Sequence, residues 1–135
     1  NLPALQRAHR LQEKAAKVGF DWEKKEDVWK KVIEEIEEMH EIENIKSQTS
    51  DPKEVKESNI KLEKEVGDVF FAMVNYARFL GINPEDALRL TNEKFIKRFN
   101  YVQQKVKETG KAINESNLEE MDKYWNESKK LNGFD

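Results

Sequence analysis

The sequence holds no cysteine, only three prolines, five glycines and two histidines among 135 residues. Without cysteine, disulfides and thiolate metal sites are excluded. So few glycines and prolines leave too little turn chemistry for an all-β fold. Basic excess is missing as well: Lys+Arg 24 against Asp+Glu 27 gives a net charge of −3, which argues against a surface built for a nucleic acid polymer. Nor is there a long hydrophobic run. The most apolar stretch, VFFAMVNYARFLGI at 69–82, is broken by Asn75 and Arg78 and is too short to span a bilayer. No secretory signal is recognisable, so the expectation is a cytoplasmic protein that does not enter a membrane. The chain opens on Asn rather than Met, which reads as a trimmed or excised piece.

What is present is charge and helix-forming residues. Charged residues make up 38% and hydrophobic residues 37%, with Glu, Lys, Leu and Ile abundant. The length suits a single domain over 1–135. Its apolar share is thin, so some helices are expected to complete their burial against a second copy of the chain. Apolar positions 4, 5, 8, 11, 15 and 18 recur at a helical period over 3–18, and Gly19 suits a stop. Asp21 is read as the cap of a second helix over 22–46. SQTSDPKE marks a loop, followed by a helix over 53–80 that ends at Gly81. In NPED, Asn83 is a cap and Pro84 a first helical residue, opening a helix to about 108. TGKAINESN is a second loop and LEEMDKYWNESKKL a short last helix. The expected fold is all-α, a helical bundle of about five helices completed by homo-oligomerisation.

The stretch KVIEEIEEMHEIEN at 31–44 carries six glutamates, at 34, 35, 37, 38, 41 and 43. On a helical wheel Trp29, Val32, Ile33, Ile36 and Met39 form an apolar arc that Val28 and Ile42 extend. Glu34, Glu37 and Glu41 point to the opposite, solvated side. Glu35 falls between Val28 and Ile42, inside the extended arc, and Glu38 lies at its border. The next helix repeats the pattern. Val66–Leu80 is apolar nearly all round, as in a buried helix, yet Glu65 and Asp68 share a stripe with Ala72 and Asn75. A Glu-rich run by itself is an ordinary solvated face. Two acid pairs at i,i+3 on the buried sides of consecutive helices are costly unless a cation lies between them. Four carboxylates without Cys or His favour Mg²⁺ or Mn²⁺ over Zn²⁺.

EEIEE at 34–38 and EVGD at 65–68 fit E-E-x-x-E and E-x-x-D patterns on consecutive helices. With LQRAHRLQEKAAKVGFDW, EVGDVFFAMVNYARFLGINPEDALRLTNEKFIKRF and EMDKYWNESK, the chain resembles the all-α nucleoside triphosphate pyrophosphohydrolases of the MazG type, in the C-terminal half of the long bacterial proteins. The resemblance implies Mg²⁺-dependent hydrolysis of NTPs or dNTPs between the α and β phosphates, with Mn²⁺ as a substitute ion. It implies Glu35, Glu38, Glu65 and Asp68 as metal ligands, and Glu34 as a further acid that orients water or a ligand. Lys94 and Arg98, four apart on one face, match triphosphate-contacting positions, as do Lys31 and Lys61; Trp125 matches a position near the nucleotide. Asn75 is read either as a contact to a base or sugar edge or as a satisfied core amide. Phe20, Trp22 and Trp29 are further stacking candidates. The family assembles as homodimers or homotetramers. Two departures stand out: 26 residues, 39–64, separate the acid pairs, and position 64 is Lys where many relatives carry an acid.

Three rival readings remain. Glu37 and His40 form an E-x-x-H pair of the kind used by di-iron bundles, but His9 follows Gln6 rather than an acid at the same spacing. A non-enzymatic helical assembly module would leave every acid on the surface. Within the enzyme class, narrow selectivity for dUTP or dCTP stands against broad house-cleaning of nucleotide pools.

Overall fold

The computed structural model describes residues 2–131 and 133, and those residues contain five α-helices and no strand. They are α1 (Ala4–Lys17), α2 (Lys25–Ser47), α3 (Pro52–Phe79), α4 (Pro84–Glu108) and α5 (Leu118–Ser128), with a 3₁₀ turn at Ile113–Glu115 before α5. Among the described residues no helix is long and apolar enough to cross a membrane.

Most helix ends follow from local chemistry. Asp51 accepts a hydrogen bond from the Lys53 amide at 3.0 Å and Pro52 opens α3. Pro52, Lys53 and Glu54 of the predicted SQTSDPKE loop therefore belong to α3, because Asp-Pro is a start signal as much as a turn signal, while Ser47 ends α2. Asn83 accepts from the Glu85 amide at 3.0 Å, as its position before Pro84 predicts. Asn117 caps α5 through the Glu120 amide at 2.8 Å. The α2 start differs from expectation. Lys24, not Asp21, occupies the cap position and makes no side-chain cap bond, while Asp21 is drawn away to Arg78 on α3.

The described residues fall into two compact units that divide between Glu85 and Asp86. In the first, α3 packs against both α2 and α1. Val28 and Val32 of α2 are buried, as are Ala72 and Val74 of α3. The wheel's extended apolar arc holds in part: Val28, Val32 and the inward Glu35 are buried, Ile36 and Met39 are half-buried, and Trp29 and Ile33 are exposed. Phe70, Phe71 and Met73 are also exposed, contrary to the reading of a helix buried all round, since within this unit α3 has partners on only part of its circumference.

The second unit is built on α4 and α5. Val102 and Val106 are fully buried. Phe95 stacks on Phe99 at 5.9 Å and meets Trp125 of α5 at 5.3 Å. Lys111 joins Glu120 at 2.8 Å, and Tyr101 donates to Glu127 at 3.1 Å.

Candidate functional site

The α2 stripe that meets α3 contains Glu35, only 6% exposed. One turn earlier Lys31 sits on the same side, its ammonium 2.7 Å from Glu35 Oε1. Glu38 is one turn further on, and Glu65 faces them from α3. Oxygens of Glu35, Glu38 and Glu65 lie within 4.8 Å of one another. One oxygen of Glu35 and one of Glu65, both Oε2, are buried and accept no hydrogen bond.

Three acids this close distort one another's titration. The hydrogen bond from Lys31 holds the Glu35 carboxyl below the usual carboxylate range, against the opposing effect of burial. Glu65 has no such cation. Burial, then hydrogen bonding to Glu35 and the charges of Glu38, Glu35 and Asp68, push it up to about 7. Glu38 is raised chiefly by the charge of Glu35. The cluster thus needs a proton or another cation to complete it. A hard divalent ion fits the donor set: all ligands are oxygens, and opposite ligands of one Mg²⁺ sit about 4 Å apart. The two orphaned carboxylate oxygens are free to serve it.

Other acids lie apart from this trio. Asp68 is exposed and outside the cluster, though its charge reaches Glu65. Glu34 is exposed, 3.7 Å from the Lys31 ammonium. Glu37 and Glu41 are exposed, as the wheel predicted. The E-x-x-H pair is not assembled into a centre, for Glu37 and His40 are both exposed and His40 approaches Glu43 at 3.4 Å.

Among the cations, Lys61 is exposed. Lys94 and Arg98 are half-buried in the second unit, where the Arg98 guanidinium lies 5.8 Å from the Trp125 ring centre. Trp29 contacts Tyr76 at 5.1 Å.

A cleft of about 510 Å³ opens beside α3, between it, α1 and the α1–α2 connection. Phe20, Trp22 and Phe71 supply aromatic walls, and Gln12 and Asn75 supply buried amides. Arg78 ties this region together: it donates to Asn75 Oδ1 at 3.0 and 2.9 Å and to Asp21 Oδ2 at 3.1 Å. Gln12, Asp21 and Arg78 escaped the sequence reading as site residues. A signal existed only for Gln12, which interrupts the packed α1 stripe of Leu5, Ala8 and Ala15 with an amide.

Residues 23–103 match the MazG nucleotide pyrophosphohydrolase domain. The chain is similar to a protein of Thermotoga maritima named nucleoside triphosphate pyrophosphohydrolase/pyrophosphatase MazG, 39% identical over 95% of this chain and 45% of that protein. It is likewise 39% identical to the nucleoside triphosphate pyrophosphohydrolase of Escherichia coli K12, over 96% of this chain and 46% of the relative. A Bacillus subtilis protein, YabN, is 52% identical over half of the chain and 14% of its own length. The chain spans a little under half the length of the first two.

Proposed function

The chain belongs to the MazG nucleotide pyrophosphohydrolase family, and from that membership we propose that it hydrolyses nucleoside triphosphates between the α and β phosphates, releasing a nucleoside monophosphate and pyrophosphate. The observation that carries this reading is the trio Glu35, Glu38 and Glu65, with two buried carboxylate oxygens that accept nothing. The ion is Mg²⁺, with Mn²⁺ a substitute, because the ligands are hard, anionic oxygens. Glu35, Glu38 and Glu65 hold it, and Asp68, one turn beyond Glu65, joins them. When bound, such an ion offsets charge on phosphate oxygens and acidifies a coordinated water.

The chain's own side chains do the rest. Lys31 balances one carboxylate of the cluster, which lets Glu35 stay ionised although it is buried. Glu34, exposed beside Lys31, is the acid that orients water. By the family pattern Lys61, Lys94 and Arg98 are assigned to the triphosphate and Trp125 to a position near the nucleotide. Asn75 holds the cleft wall from the acid stripe of α3. A homodimer or homotetramer covers exposed apolar side chains of α3 such as Phe70 and Met73. The substrate range is broad, covering standard and aberrant nucleotides, as a house-cleaning enzyme requires.

The test is to incubate the chain with each NTP and dNTP and Mg²⁺ and to identify the products. Pyrophosphate with a nucleoside monophosphate is expected. Release of single phosphate, or no Mg²⁺-dependent turnover at all, sinks the reading. A hundredfold preference for dUTP or dCTP would keep the chemistry and replace the broad range with the narrow one.

A further inference from the structure

Two buried amides line the cleft beside α3, and their hydrogen-bonding states differ. Asn75 already accepts from Arg78 through Oδ1. Gln12 has its Nε2 committed to the Phe71 carbonyl at 3.0 Å. That carbonyl can only accept, so the amide cannot be turned round and Oε1 must be the atom left over. This oxygen is buried and has no partner. An acceptor kept from water and unpaired is destabilising, and such groups occur where something else supplies the donor.

We propose that Gln12 is a specificity-determining residue, whose side-chain oxygen accepts a hydrogen bond from an amino group on the edge of a nucleobase held in this cleft. The inference rests on the nucleotide-hydrolysing reading above and adds which edge of the base is read. Phe20, Trp22 and Phe71 give the cleft aromatic walls suited to a planar ring. Its volume of about 510 Å³ lies within the usual range for small-molecule sites. Phe20, 81% exposed, is the wall residue with most room to shift as the ring enters. Position along α3 agrees: Asn75 is seven residues from Asp68, about 10 Å at 1.5 Å per residue, a reach suited to a nucleoside whose phosphates lie at the acids. An amino edge donates to Oε1. A carbonyl edge sets two acceptors against each other and is disfavoured.

The test pairs a change in the substrate with a change in the protein. ATP is compared with the triphosphate of purine riboside, which lacks only the 6-amino group, in the native chain and in Gln12→Met. The native chain should favour ATP in kcat/KM by about tenfold, a graded preference inside a broad substrate range, and the preference should fall to about one in Gln12→Met. Gln12→Leu, close in size and likewise without an acceptor, should also lose the preference and serves if the methionine variant fails to fold. Equal turnover of both substrates by the native chain, or a preference unchanged in Gln12→Met, overturns the role of Gln12 while leaving pyrophosphohydrolysis standing. Failure to hydrolyse any nucleotide defeats both readings.

Discussion

On α2, two sets of glutamates of the same residue type meet opposite fates. Glu34, Glu37 and Glu41 are exposed, whereas Glu35 is buried and Glu38 half-buried one turn along. On the outer face a like-charge neighbour costs a few tenths of a kcal/mol, because water screens it. On the inner face the same charge meets Glu65 across the helix pair, and the carboxyl there is held up to about 7. The contrast teaches that chemical character in an acid-rich run comes from the direction of each side chain, not from the density of the run.

The sharpest way to break the contrast is to remove one acid from each face. Glu38→Gln or Glu65→Gln should lower Mg²⁺-dependent turnover at least about a hundredfold, since even groups that only orient metal ligands commonly cost tenfold to a hundredfold. Glu37→Gln should change it less than about twofold. Steady-state rates at saturating Mg²⁺ decide; comparable losses from the two faces would abolish the distinction.

A middle-sized effect is expected from Lys31. Its side chain is 38% exposed, so its bond to Glu35 lies between surface and buried ion pairs. Lys31→Met should destabilise the fold by about 1–2 kcal/mol, measured by denaturant unfolding without divalent ions. Added Mg²⁺ should recover part of the loss; a variant as stable as the native chain would mean that the inner acids need no balancing cation.

The smallest effect concerns pH. The folded chain holds the Glu65 proton up to about 7, whereas an unfolded chain releases it near 4.5. In that window the folded state binds more protons, so stability from this group is full below about 4.5 and is lost as pH rises through about 7. Glu38, also raised, acts in the same direction, while lowered Glu35 contributes stability that is lost as pH falls through the acid range. The melting temperature without metal should therefore decline from about pH 5 to about pH 8, and Glu65→Gln should flatten the decline. Mg²⁺ should stabilise more as pH rises, because it competes with the proton.

Much of this was legible in the chain itself. The Asn83–Pro84 start of α4, the outward Glu34, Glu37 and Glu41, and the inward Glu35 all follow from short-range rules. Trp29 and Ile33 were placed in the α2 core although they are exposed, because a wheel averages apolar residues and ignores which neighbour each will meet. Asp21 was read as a helix cap because its natural partner in sequence is the next amide. Its ion-pair partner, Arg78, is 57 residues away, and nothing local announces such a pairing. Gln12 shows the same limit: its place on a packed stripe could be read, but the Phe71 carbonyl that fixes its orientation could not.

Because α3 runs unbroken from Pro52 to Phe79, it works as a ruler on which Glu65 and Asn75 are fixed marks. Each added residue would advance the far mark by about 1.5 Å and swing it by about 100°. One extra alanine between Asp68 and Phe71 would therefore carry Phe71 and Asn75 off the line of the acids while leaving every side chain's chemistry intact.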